Sequence, residues 1–226
     1  MRFLNAASCP VDLESRAFTD AAMAALRADR WSAAGWVRYA DRIGRRSAQQ
    51  VAAHPRAAAE LTALHGGFAL AARGLGRRWV VISWLMAVIH LGLLGEGGSV
   101  GWANAVSLAR ANLAVTGEPL GRWVGVAALL SDALDGRLAR RTRPTMFGFY
   151  ADSLADAAFW TWLGIRHEPS PWLRVATLAA WAAPVVAVTA ASVRKGEMVE
   201  SPRPLLLRPA AALQVVLAVH TLRTRR

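Results

Sequence analysis

The chain has 226 residues, enough for one domain or at most two, and 54% of them are hydrophobic before its 18 glycines are counted. Counting glycine raises the share to about 62%, against roughly 45–50% for a soluble globular domain, which argues for a membrane protein. The 27 basic and 15 acidic residues give +12, a charge that suits nucleic acid or an anionic membrane face; the apolar excess decides for the membrane, and no nucleic-acid partner is expected. A single cysteine, Cys9, excludes a disulfide framework and any multi-cysteine metal site. No apolar run of ~7–15 residues precedes Cys9, so no cleaved signal is expected.

Residues 1–78 carry 12 arginines and six acids, with no apolar run long enough to span a bilayer. They are expected to form a separate basic extension of short amphipathic helices. Thr19-Asp20 ahead of AAMAALRADRW predicts a helix start, Leu61, Leu64 and Phe68 recur at helical spacing, and Pro55 interrupts one helix. From residue 79 to 226 six apolar stretches alternate with polar ones, at about 79–95, 102–117, 121–140, 145–165, 173–193 and 205–222. A span needs about 20 apolar residues, with ~17 as the lower limit, so the first two are marginal; the second also contains Arg110. Eight of the ten tryptophans lie in this part, with Trp79, Trp102, Trp123 and Trp172 near segment ends, where rings sit at headgroup level. The expected fold is all-α: a polytopic membrane helix bundle of about six apolar segments with a small helical N-terminal extension.

After residue 78 the only aspartates are Asp132, Asp135, Asp152 and Asp156, on two consecutive apolar segments. Spacings of three and four put each pair on one helix face, and the connection RRTRPT lets the two faces meet. Four carboxylates in one low-dielectric pocket stay charged only with cations beside them. Hard oxygen ligands without histidine or cysteine favour magnesium, manganese or calcium over zinc, and magnesium keeps positions open for substrate phosphates. A carboxylate at the edge of the cluster is suited to take a proton from an attacking hydroxyl. Gly136 and Ala139 beyond Asp135, and Gly148 one turn before Asp152, leave room for a bulky group against the helix backbone. Arg140 supplies a charge for phosphate.

These residues resemble the signature of the CDP-alcohol phosphatidyltransferase family, D-x2-D-G-x2-A-R-x8/9-G-x3-D-x3-D. The chain has Asp132, Asp135, Gly136, Ala139, Arg140, Gly148, Asp152 and Asp156 in that order, with a gap of seven residues between Arg140 and Gly148. Upstream, Asn104-x2-Ser107-x2-Arg110 is similar to the N-x2-T-x2-R at the start of the family's first membrane helix. The resemblance covers about residues 102–222. It implies that Asp132, Asp135 and Asp152 hold metal, two Mg2+ or Mn2+ ions, with Asp156 as the catalytic base and a further ligand. It also implies that Gly136, Ala139, Arg140 and Gly148 line the CDP site. The implied reaction moves a phosphatidyl or related group from a CDP-linked lipid donor, such as CDP-diacylglycerol, to an alcohol acceptor and releases CMP.

A cytoplasmic donor places the Asp132 end of its helix inward in the cell membrane, as do the nearby Arg137, Arg140, Arg141 and Arg143, and Arg194 and Lys195 two crossings later. If all six segments span, residues 1–78 lie outside, so 79–95 or 102–117 is expected not to cross fully. The family usually has six membrane helices with the signature on the second and third, so segment 79–95 is expected to fill the place of a missing C-terminal helix. Arg137, Arg141, Arg194 and Lys195 read either as topology determinants or as a site for a phosphorylated alcohol. A homodimer stays open. The competing readings are a magnesium-dependent intramembrane prenyltransferase and a non-catalytic membrane protein that binds a partner.

Overall fold

The computed structural model describes residues 10–142, 145–199 and 207–224; Cys9 and Arg143 lie outside them. All regular structure among these residues is helical. The helices are α1 (Pro10–Ala28), α2 (Ala33–Ala53), α3 (Pro55–Ala71), α4 (Gly76–Ile89), α5 (Gly101–Thr116), α6 (Val124–Arg141), α7 (Met146–His167), α8 (Pro171–Lys195, with a π-helical turn at Leu178–Ala182) and α9 (Leu207–Thr224). Short 3-10 turns, Leu91–Leu94 and Glu118–Trp123, lead into α5 and α6.

The helix start predicted at Thr19-Asp20 is corrected: α1 is already under way from Pro10, and the Thr19 hydroxyl donates to the Ser15 carbonyl at 2.9 Å instead of capping. The chain then reverses through Arg30 and Trp31, whose φ of 50° and 57° are left-handed. Ser32 caps α2 by accepting from the Gly35 N–H at 3.1 Å, and a Cβ on Gly35 would stand 2.8 Å from the Asp29 Cβ. Pro55 separates α2 from α3 as expected, sitting at the first turn of α3 where its missing N–H costs nothing.

Helix α5 is the axis of the molecule. The directions of its neighbours follow from which residues meet. Trp79 of α4 donates to the Ala111 carbonyl, while Gly76 faces Val115, so α4 runs antiparallel to α5. Arg110 reaches Asp132 while Ser107 reaches Asp135, so α6 is antiparallel as well. Asn104 meets Thr145 and Arg110 meets Asp152, so α7 is parallel. Trp84 donates to Thr62 and His65 meets Ser83, which makes α3 and α4 an antiparallel hairpin along the same axis. The starts of α3, α5 and α7 and the ends of α4 and α6 therefore share one end of the bundle. Helix α1 lies at that end, with Arg16 donating to the Tyr150 hydroxyl, Arg27 to the Lys195 carbonyl, and Asp20 accepting from the Met198 N–H.

Two apolar cores lie along α7. One joins Ala57 and Leu61 of α3 with Ala87, the Leu91–Leu94 turn, Leu108, Met146 and Phe147. The other joins Val124 and Ala128 of α6 with Phe159, Trp160 and Leu163 of α7, Trp181 of α8, and Leu217 and Ala218 of α9. The division expected at residue 78 falls in the first turn of α4, and α3 shares a core with the helices after it. The place expected for segment 79–95, beside the last helix, is corrected. Helix α4 packs on α3 and α5, whereas α9 packs on α6 and belongs to the other core.

Among the described residues one helix, Pro171–Lys195, is both long and apolar enough to cross a membrane, with mean hydropathy 1.7 over its best window, 11% of which is buried. The others fall short by length or by charge. Helix α5 has 16 residues, about 24 Å at 1.5 Å per residue, and α6 and α7 carry the aspartates. Apolar side chains nevertheless face outward in rows, including Val81, Ile82, Leu85, Met86 and Ile89 along one side of α4. Trp102 and Trp172, near opposite ends of the bundle, are about four-fifths exposed, at 80% and 82%.

Candidate active site

The buried face of α5 is polar. Asn104, Ser107 and Arg110 follow one another at three-residue spacing and are 8%, 3% and 0% exposed. Such a stripe would be costly against apolar neighbours, and each group finds a partner on the helices packed over it. Asn104 donates to the Val100 carbonyl at 2.7 Å and to the Thr145 hydroxyl at 3.3 Å, which ties α5 to the start of α7. Thr145 is also the cap of α7, accepting from the Gly148 N–H at 3.0 Å. A Cβ on Gly148 would fall on the Asn104 side-chain oxygen, so glycine is what lets α7 begin this close to α5.

Arg110 is surrounded by all four aspartates. Its Nη1 lies 2.9 Å from Asp135 Oδ2 and 3.3 Å from Asp132 Oδ1, its Nη2 bonds Asp152 Oδ1, and its Nε stands 3.0 Å from Asp156 Oδ1. Asp135 is the deepest of the four, with a side chain 7% exposed, and takes a second hydrogen bond from the Ser107 hydroxyl at 2.9 Å. Asp156 is 21% exposed, and Gln214 of α9 donates to its Oδ2 at 3.0 Å. Asp132 and Asp152 form the open rim, 45% and 47% exposed. The two pairs predicted to share one helix face each do meet across α6 and α7.

Asp132, Asp152 and Asp156 each offer an oxygen within 4.8 Å of the other two. Asp156 Oδ1 is buried and accepts no hydrogen bond from the described residues, which leaves a lone pair for a cation. An all-oxygen set of this kind suits a hard divalent ion such as Mg2+ or Mn2+, so the residues present fit the metal that the sequence implies. Asp135 stands apart from that trio, committed to Arg110 and Ser107.

The remaining signature positions flank the carboxylates. The Arg140 guanidinium folds back along α6 to where a Cβ on Gly136 would stand 3.3 Å from its Nη1, while Arg140 itself is exposed and Ala139 half-buried. Only residues 142–145 separate α6 from α7, because the seven positions between Arg140 and Gly148 include helix on both sides. Sequence reasoning read Arg110 as a weakness of its segment and as part of a loose upstream motif; its place at the centre of the pocket is a finding of the structure. Gln214 was missed altogether. Its only signal was an amide in an apolar stretch.

A profile of CDP-alcohol phosphatidyltransferases matches residues 103–223, more than half of the chain. The chain belongs to the CDP-alcohol phosphatidyltransferase family. The matched region runs from the first turn of α5 to the last turn of α9 and contains the whole aspartate pocket. Membership makes the chain a member of a phosphotransferase family that is generally membrane-bound and dependent on divalent metal. Helices α1 to α4 lie outside the match. No curated protein and no solved structure matches the chain.

Proposed function

We propose that the chain is a multi-pass enzyme of the cell membrane that moves a phosphatidyl or related phospho-lipid group from a CDP-linked donor, such as CDP-diacylglycerol, to an alcohol acceptor. The observation that carries this reading is the convergence of four aspartates from two helices on one polar pocket, with every defined position of the family signature in place. The pocket lies toward the end of the bundle that carries Arg137, Arg141, Arg194 and Lys195, which favours a cytoplasmic mouth.

Asp132, Asp152 and Asp156 would hold Mg2+ or Mn2+, with Asp135 completing the acidic wall. When bound, the metal neutralises the pyrophosphate of the donor and stabilises the departing CMP. Gly136, Ala139 and Gly148 leave the backbone of α6 and α7 open for the cytidine end of the donor, and Arg140 at the rim meets a phosphate. Asp156 is the base. Gln214 holds its Oδ2 in place, and the carboxylate takes the hydroxyl proton of the acceptor as the acceptor oxygen attacks the β-phosphorus. The bond from that phosphorus to the CMP oxygen breaks, CMP leaves with the electron pair, and a phosphodiester remains.

The test is CMP release by the purified chain from CDP-diacylglycerol with Mg2+ or Mn2+ and a panel of alcohols, including glycerol phosphate and inositol phosphate, with the lipid product identified by mass spectrometry. Release that needs an acceptor and stops with a chelator supports the reading. Absence of release with every donor and acceptor favours a binding protein and overturns it.

A further inference from the structure

We propose that Arg110 is the built-in counter-cation of the aspartate pocket, holding the carboxylates together when no metal is bound and competing with metal for them. The proposal rests on the reading of the pocket as a divalent-metal centre.

A guanidinium with no exposure at all is expensive to bury, and one carboxylate partner does not offset that cost. Arg110 has four. Its planar fork of five N–H donors lets Nη1, Nη2 and Nε face carboxylates arriving from two different helices, which a lysine ammonium at one point does not reproduce. With Arg110 the four aspartates sum to −3; without it they sum to −4 in a pocket whose deepest member is 7% exposed.

The contacts are also unequal in a way that suits sharing. Asp135 is held by both Arg110 and Ser107, which anchors the guanidinium. Asp132 is the most distant partner, at 3.3 Å, and is half-exposed. Arg110 Nε and Asp156 Oδ1 are 3.0 Å apart, yet among the described residues neither atom makes a hydrogen bond. Arg110 therefore balances Asp132 and Asp156 by charge without saturating them, and these are two of the three carboxylates that can reach a common ion. An incoming divalent cation gains those oxygens against the repulsion of a neighbouring positive charge. Arg110 thus lowers metal affinity and in exchange keeps the empty pocket folded and ionised.

The experiment uses the full chain in detergent, with metal-free thermal unfolding and Mn2+ binding by calorimetry. Arg110→Gln is expected to melt below the wild type without metal, to bind Mn2+ roughly tenfold tighter or more, and to recover most of the lost melting temperature at saturating Mn2+. Adding Asp135→Asn removes the deepest negative charge that the loss of Arg110 leaves without a counter-charge, so the double variant is expected to melt above Arg110→Gln when metal-free. Arg110→Lys keeps the charge and loses the fork; it is expected to melt lower while binding Mn2+ about as the wild type does.

A merely structural arginine would lower stability in all three variants without tightening metal. Unchanged or weaker Mn2+ binding by Arg110→Gln overturns the proposal, as does a double variant that melts no higher than the single one. Should Arg110→Gln fail to fold, the double variant, whose pocket carries the same −3 as the wild type, decides: folding with Mn2+ binding at least as tight as the wild type's supports the proposal, and failure to fold or weaker binding overturns it. If the wild type and every variant bind no Mn2+, the metal reading falls and this proposal falls with it. Wild-type binding with no change in Arg110→Gln removes this proposal alone.

Discussion

Gln214 donates to one oxygen of Asp156, and among the described residues nothing donates to the other, so the two oxygens differ in their surroundings. Asp156→Asn keeps the shape and is expected to retain much of the metal and nucleotide binding while losing turnover by about 10²–10⁴-fold. Asp132→Ala takes a rim carboxylate away and is expected to lose binding and turnover together. Calorimetry of CDP binding beside CMP release separates the two cases; equal, near-normal activity in both variants overturns the roles. At Gly148 a methyl would strike the Asn104 oxygen that faces the start of α7. Gly148→Ala is therefore expected to cost about 1–3 kcal/mol in unfolding and to reduce CMP release more than tenfold. The aspartates were legible because an acid on an apolar segment is costly, and spacings of three and four mark a face. The partners of Arg110, 25 and 42 residues away, and of Gln214, 58 residues away, were not: a lone polar group in an apolar run shows that a partner exists without saying where.

Helix α5 carries the site yet has no cap of its own: Val100 precedes it with no side-chain acceptor. Glu60 of α3 fills that position from across the bundle, accepting from the Val100 N–H at 2.8 Å and from the Ser99 hydroxyl at 2.6 Å. The carboxylate meets both an orphan N–H and the positive end of the helix. Glu60→Ala is expected to destabilise the chain by about 1 kcal/mol or somewhat more, with Glu60→Gln between, measured by thermal unfolding in detergent. The six apolar stretches correspond to α4 through α9, because runs of apolar side chains interrupted by charge and glycine mark helix ends well. The place of α3 was not legible. Arg56, Glu60 and the pair Gly66-Gly67 make it look like part of a polar extension, whereas Ala57, Leu61 and His65 bury one side of it against its neighbours.

At the scale of the whole molecule, the outward rows of valine, leucine and isoleucine on α4, α8 and α9 are too extensive for water and are expected to meet lipid. The α3–α4 hairpin then alters a matter of parity. If α4 is counted as a crossing, a chain whose site opens to the cytoplasm must begin outside, and residues 1–78 would have to be carried over. If α3 crosses with it, the two cancel. The beginning of α3, with α1 and α2 before it, returns to the side of the aspartates, where Arg16 and Arg27 already make contact with Tyr150 and Lys195. With Cys9 replaced by serine, a cysteine at Gly74 is expected to react with a membrane-impermeant reagent from outside, and one at Gly98 only after the membrane is opened. Equal labelling of both from one side overturns the assignment. If α3 crosses, what the cell must translocate shrinks from residues 1–78 to the short turn around Gly74, with Arg73, Arg77 and Arg78 beside it.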